Sequence, residues 1–214
     1  MKVMLKDGSS MEFEAGVSVL DVARTISEGL ARAACAAKVN GEIVDIRTAL
    51  DADCELEILT FRDDEGKKAF RHTASHVMAQ AVKRLYPDAK LAIGPAIDDG
   101  FYYDFDRAEA FSAEELGDIE KEMKKIVKEN IKIERFTLPR AEAIKLMEDA
   151  GEPYKVELIQ DLPEDAIISF YKQGDFVDLC AGPHVMSTKA VKAFKCISSS
   201  MAYWRGDSTK AQLQ

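Results

Sequence analysis

Two dipeptides limit the architecture of this chain more than any other feature. Asp7-Gly8 separates the run Lys2-Val3-Met4-Leu5 from Met11-Glu12-Phe13, and Asn40-Gly41 separates Ala36 to Val39 from Glu42 to Ile46. Asp or Asn followed by Gly tolerates the positive φ angles of a tight reversal, so short apolar runs on either side are hairpin signals. Between the two hairpins, Ser18 and Asp21 form an S-x-x-D box ahead of Leu20, Val22, Ala23 and Ile26, the opening of a helix. Glu55 to Phe61 adds a last strand in which Leu56 and Ile58 alternate with charged residues. A strand pair, a helix and further strands give the outline of a β-grasp.

The run Asp63-Asp64-Glu65-Gly66-Lys67-Lys68 is polar and charged, and reads as a hinge. It sets the expected domains at 1–62 and 63–214. Beyond it, Phe70 to Leu85 is predicted as a helix that stops before Tyr86-Pro87, because the residue before proline disfavours the helical region. Leu91 to Ile97 and Gly100 to Phe105 look extended, and the aromatic stretch Phe101-Tyr102-Tyr103-Asp104-Phe105 reads as a core strand. Ser112 and Glu115 form a capping box for a helix running to Glu129. Its lysines, with Lys132, alternate with Glu120, Glu122 and Glu129, which reads as a solvated face rather than a basic stripe. Lys132 to Leu138 is a predicted strand, and Pro139 opens a helix to Met147. Lys155 to Leu158, Ile167 to Tyr171 and Ala193 to Ser200 are predicted strands. The fold class expected is α+β: a small β-grasp-like domain, then a larger α+β domain with a mostly antiparallel sheet.

The chain of 214 residues is long enough to bury a core, and its 47% hydrophobic and 31% charged residues are ordinary for a globular protein. A net charge of −9 opposes indiscriminate binding of nucleic acid by the whole chain, while leaving room for a local basic groove. No apolar run approaches a membrane span and no signal sequence follows Met1. Cys35, Cys54, Cys180 and Cys196 are scattered, which predicts reduced thiols in a cytoplasm.

The chemistry concentrates in two short segments, which hold every histidine of the chain. His72 and His76 are four apart on a predicted helix, so both imidazoles lie on one face. Cys180 and His184 repeat the spacing, but Gly182-Pro183 between them predicts a loop. Such a set suits proton transfer, metal binding, or both. A zincin protease is excluded, because its general base directly follows the first histidine and that position here is Thr73.

Six blocks then occur in one order: His72-Thr-Ala-Ser-His76, Gly94-Pro-Ala-Ile97, Gly100-Phe-Tyr-Tyr-Asp104, Glu152-Pro-Tyr-Lys155, Asp178-Leu-Cys-Ala-Gly-Pro-His184 and Tyr203-Trp-Arg-Gly-Asp207. Together they resemble the bacterial threonyl-tRNA synthetases, and the first sixty residues, with Val39-Asn-Gly-Glu42, resemble the TGS domain of that family. The resemblance covers essentially the whole chain. It implies an N-terminal part, with the ATP-binding class II core and the anticodon-binding domain beyond Gln214, so that this chain does not itself charge tRNA.

The resemblance further implies an editing domain that hydrolyses serine wrongly esterified to tRNA(Thr). Its site would comprise His72, His76, Lys155, Asp178, Cys180 and His184, with Tyr103 contributing to substrate binding. The roles that chemistry then suggests are His72 on water or the terminal ribose, Lys155 as positive charge and for water positioning, and Asp178 on the seryl amino or hydroxyl group. His76 and His184 would orient their neighbours, and Cys180 would touch the seryl side chain. No cofactor is expected for editing; ATP, magnesium and zinc belong to the ligase core. A tetrahedral zinc set of His72, His76, Cys180 and His184 is the rival mechanism. Expected partners are the acceptor end of tRNA(Thr) and, in the full-length enzyme, a second copy, with no membrane. A non-catalytic tRNA-binding or regulatory module and a free-standing deacylase are the alternatives.

Overall fold

The computed structural model describes all residues from Met1 to Gln214, which fall into two compact units. The first comprises Met1–Thr73 with Gly182–Met186, and the second Ala74–Ala181 with Ser187–Gln214.

In the first unit, strands β1 (Lys2–Leu5) and β2 (Ser10–Glu12) form the hairpin predicted around Asp7-Gly8. β3 (Val17–Ser18) leads into helices α1 (Val19–Ile26) and α2 (Glu28–Ala33), followed by β4 (Ala34–Val39), β5 (Glu42–Val44), β6 (Ala49–Leu50) and β7 (Cys54–Thr60). Ser18 caps α1 by accepting the N–H of Asp21, and Ser27 caps α2 in the same way from Leu30. The β4–β5 reversal uses Asn40 and Gly41 at φ 49° and 88°, the pair of positive angles that a two-residue hairpin turn requires. Five strands make one sheet in the order β2-β1-β7-β4-β5, with β1 and β7 parallel and every other pairing antiparallel. Val3, Ala37 and Leu56 on the sheet meet Val19 and Val22 of α1, with Ile46 and Leu50 closing the core. The β-grasp outline is thus present.

Helix α3 (Asp64–Leu85) begins earlier than predicted, and the charged run Asp63 to Lys68, read as a hinge, leads into it, with Asp64 to Lys68 inside the helix. Asp64 and Glu65 sit where the positive end of the helix dipole favours carboxylates, and each pairs with the lysine three residues on. The Asp63 carboxylate also accepts the N–H of Thr60, joining β7 directly to the helix.

In the second unit, the two-residue strands β8 (Lys90–Leu91), β9 (Ala96–Ile97), β10 (Gly100–Phe101) and β11 (Phe105–Asp106) replace the continuous aromatic strand expected over Phe101 to Phe105. Tyr102 to Asp104 are held instead by backbone bonds of Asp104 with Ala92 and Ile93, which turn Tyr103 inward. Helix α4 (Ala113–Glu129) has both bonds of the predicted Ser112–Glu115 capping box and ends on Asn130 in the left-handed region. Its lysines Lys121 and Lys125 are exposed and paired with Asp118 and Glu122, a solvated face. β12 (Ile133–Leu138), α5 (Arg140–Asp149), α6 (Pro153–Asp161), β13 (Ile168–Gln173) and β14 (Phe176–Leu179) complete the layer. The order β12-β13-β14 is antiparallel throughout, with Phe136 opposite Phe170 and Tyr171 opposite Asp178. Ala143 and Met147 of α5 and Ile159 of α6 pack with Ile168 and Phe170.

Two predicted strands are corrected. Lys155 to Leu158 lies in α6, because Pro153 at the first helical position supplies a preset φ and the carbonyl of Glu152 accepts from Lys155 and Val156. Val156 and Ile159 then face one cluster at helical spacing, which a strand would split between two faces. Ala193 to Ser200 forms no strand; Ile197 is 87% exposed and no partner strand borders it. The chain ends in β15 (Ala202–Tyr203) paired with β16 (Gln212–Leu213), where Trp204 packs on Tyr154.

Candidate active site

Helix α3 carries His72 and His76 one turn apart, so a rigid element fixes their spacing. Each contributes to a polar cluster in its own unit.

In the first unit, the loop residue His184 is fully buried and its ring lies 4.4 Å from that of His72, the planes tilted by 32°. The hydrogen bonds of Thr73 decide the tautomer of His184. A threonine hydroxyl has one hydrogen and two lone pairs. Thr73 donates that hydrogen to the carbonyl of Ala69 at 2.9 Å and accepts the N–H of Val185 at 3.1 Å. His184 Nδ1, also 3.1 Å from the hydroxyl, must therefore be the donor in that contact. Nδ1 carries the proton, and in the neutral ring Nε2 is left as the basic nitrogen.

The backbone around His184 is tied down from the other side. Arg47 donates from Nη1 to the carbonyl of His184 at 3.0 Å and from Nη2 to that of Val185 at 2.9 Å. Asp45 accepts the N–H of His184 at 3.2 Å and pairs with Arg47 at 2.9 Å. Neither Asp45 nor Arg47 is conspicuous in the sequence, since nothing local links them to a histidine 137 or more residues away. Thr73 was legible only by position, between the two histidines.

In the second unit, Asp178 on β14 is the centre. It is 1% exposed, its Oδ1 lies 2.7 Å from the ammonium of Lys155, and Tyr103 donates to its Oδ2 at 2.6 Å. His76 Nε2 approaches the same Oδ2 at 3.6 Å. Burial drives this carboxyl up, but the charges of Lys155 and His76 and the hydrogen bonds from Lys155 and Tyr103 outweigh it, and the group is held below the usual carboxylate range. Tyr103 is pushed well above the usual phenol range, first by burial and then by the Asp178 charge. It is a proton donor to Asp178 and stays one. Gly94 makes room for the Tyr103 ring, because a Cβ there would lie 2.1 Å from its Cδ2.

Lys155 comes from the first turn of α6 and is 3% exposed. His76 is also buried, and its carbonyl accepts from Gln173 of β13, which in turn meets Gln80 of α3. Cys180 follows β14 directly; its N–H donates to Ser169 O at 3.0 Å and its carbonyl accepts from Ser169 Oγ at 2.6 Å. Thus His72 and His184 come together in the first unit, and His76, Lys155, Asp178 and Tyr103 in the second. All four cysteines are free thiols. No helix is long and apolar enough to cross a membrane.

Comparison with known proteins identifies two domain families in the chain. Residues 1–60 match the TGS domain family, and residues 168–214 match the family described as the threonyl and alanyl tRNA synthetase second additional domain. The threonine–tRNA ligases of Acetivibrio thermocellus and Clostridium tetani are each 63% identical over all 214 residues, and that of Clostridioides difficile is 62% identical. The whole chain is covered in each case, but it spans only 34% of each relative's length.

Proposed function

The chain carries the TGS domain and the second additional domain of the threonyl-tRNA synthetase family, and on that premise we propose that it hydrolyses seryl-tRNA(Thr) to serine and tRNA(Thr). The observation that carries the reading is the buried Lys155–Asp178 ion pair beside His76. Burying two opposite charges is often no better for stability than apolar packing, so a pair retained at 2.7 Å in a synthetase-type domain points to chemistry.

The need for such an activity follows from size. Serine lacks one methyl of threonine, a difference worth about 1–3 kcal/mol in a binding pocket and too small for faithful charging. In the proposed reaction, water adds to the ester carbonyl carbon and negative charge develops on the carbonyl oxygen. The bond to the terminal ribose oxygen then breaks, and that oxygen takes up a proton. The Lys155 ammonium supplies positive charge for the oxyanion and for positioning water. Asp178 has one oxygen against the Lys155 ammonium and the other accepting from Tyr103, so it orients these groups, and it binds the seryl amino or hydroxyl group. His72, half-buried and stacked on His184, acts on the water or the ribose hydroxyl. Cys180 lines the seryl side chain, and direct attack by water is preferred to an acyl-cysteine.

We propose that the reaction uses no metal. His72, His76, Cys180 and His184 have the donor types of a tetrahedral zinc set, and zinc is the alternative. The deciding experiment is hydrolysis of seryl- and threonyl-tRNA(Thr) by the purified chain, at saturating substrate and low salt, with and without a chelator. The expected result is loss of the seryl ester with the threonyl ester spared about 10- to 100-fold, unchanged by chelation, since fitting an extra methyl into a close pocket costs about 1–3 kcal/mol. Equal cleavage of both esters refutes the editing assignment, and cleavage of neither refutes it and leaves a tRNA-binding module. Abolition by the chelator, with recovery on adding zinc, selects the metal mechanism.

A further inference from the structure

We propose that Asp45 and Arg47, with Thr73, are positioning residues for His184, holding its imidazole as the Nδ1–H tautomer with Nε2 basic. The inference deepens the hydrolytic reading and rests on it only for its consequence in the reaction.

Three observations converge on the backbone of two residues, His184 and Val185. The Arg47 guanidinium spans two successive carbonyls, those of His184 and Val185, at 3.0 and 2.9 Å. The Asp45 carboxylate takes the N–H of His184 and also fixes Arg47 through its backbone N–H at 2.8 Å. The Thr73 hydroxyl takes the next N–H, that of Val185, together with His184 Nδ1. Donors and acceptors on both sides of the His184 backbone are therefore engaged, and the ring is held by a hydroxyl whose own hydrogen is already committed to Ala69. The Nε2–H tautomer would set a lone pair against a lone pair at Thr73, and a flipped ring would put its Cδ2–H there in place of the hydrogen bond.

The chemistry of Arg47 is specific. A planar guanidinium donates in parallel to two acceptors, whereas a lysine ammonium is a point donor and cannot hold both carbonyls in one plane. Asp45 and Arg47 are largely buried, with side-chain exposures of 7% and 16%. An apolar pair would cover the same surface but would leave the two carbonyls and one N–H without these partners. The TGS-type unit thereby gains a role that is neither RNA binding nor bulk stability: it sets the direction of a site imidazole.

The test reads the tautomer directly. Long-range proton–nitrogen NMR of the whole chain, at a pH where imidazoles are neutral, separates Nδ1–H from Nε2–H rings, and His184→Gln assigns the signal. The wild type and Thr73→Ser are expected to show the Nδ1–H pattern. Thr73→Val and Arg47→Met are expected to show a mixture or the Nε2–H form. In seryl-tRNA deacylation, Thr73→Val and Arg47→Met should lower kcat about 10- to 100-fold with KM little changed, as a misplaced group does, and Thr73→Ser should restore it. An Nε2–H ring in the wild type, or a tautomer unmoved by both substitutions, overturns the proposal. So does a shifted tautomer with full kcat. Should the wild type hydrolyse no ester, the editing reading fails while the NMR result still decides the positioning. Should Arg47→Met not fold, the Thr73→Val and Thr73→Ser pair decides alone.

Discussion

Replacing Lys155 by methionine isolates the electrostatics of the Asp178 cluster. Methionine keeps the length and apolar stem of lysine, so the perturbation is the loss of one charge 2.7 Å from a carboxylate that is 1% exposed. Removing one partner of a buried pair costs about 3–5 kcal/mol, because the survivor is left charged in a poorly solvating site. That is a large share of the roughly 5–15 kcal/mol that holds a domain folded. The sign of the pH dependence makes the argument sharp. In the native chain the Asp178 pKa is lowered on folding, so its contribution is fully present above the unfolded pKa and is lost as pH falls through the folded pKa. From about pH 5 to about pH 8 this group therefore leaves native stability flat. Without Lys155 the largest opposing charge is gone and burial, the strongest influence on this carboxyl, prevails, so the folded pKa rises above the unfolded one. The variant can then take up a proton at low pH and avoid the buried charge, and its deficit grows as pH rises. Urea unfolding at about pH 5 and about pH 8 should show a larger deficit at the higher pH, by about 1 kcal/mol or more, since one pKa unit is about 1.4 kcal/mol. Adding Asp178→Asn should recover most of the loss. A deficit equal at both pH values, or strict additivity of the two substitutions, would refute the account. Lys155 is thus as much a buried structural group as a site residue, and its loss of function cannot be read apart from its loss of stability.

Two further outcomes test the packing around the site and its scaffold. Gly94→Ala brings a Cβ to 2.1 Å from the Tyr103 ring, and should destabilise by at least about 1–3 kcal/mol while displacing the Tyr103 hydroxyl from Asp178, measured by urea unfolding and by the ultraviolet titration of the phenol. Ser112→Ala removes the bond from the Glu115 N–H to the Ser112 hydroxyl, one of the two capping bonds of α4, and should cost about 1 kcal/mol in the same unfolding assay, with deacylation unchanged.

What the sequence made legible was whatever is local. Asp7-Gly8, Asn40-Gly41, Ser18 and the Ser112–Glu115 box act within four residues, and each produced the element expected of it. The errors fell where local signals conflict. Asp63 to Lys68 is polar enough for a hinge, yet its acids precede its bases in the order that a helix start prefers. Lys155 to Leu158 is too short for periodicity to decide, and the information lay upstream in Pro153. The resemblance pointed to Lys155 and Tyr103, but not to Tyr103 as the donor to Asp178, which depends on a strand 75 residues away. Asp45 and Arg47 carry no local mark, since their partners are backbone atoms and any sequence presents those.

The Arg47–His184 bond has a consequence for the order of events during synthesis. Strands β1 to β7 and helices α1 and α2 of the first unit lie within its first sixty residues, so its sheet can form as soon as these leave the ribosome. The carbonyl that Arg47 grips is made 137 residues later. At about 5–20 residues per second, the guanidinium and its Asp45 partner wait roughly 7–27 seconds, with water as their partner. The early sheet is then a finished receptor for a strip of its own chain. Docking of Gly182–Met186 would be a late binding step, visible as a change at Arg47 well after the sheet is protected from hydrogen exchange.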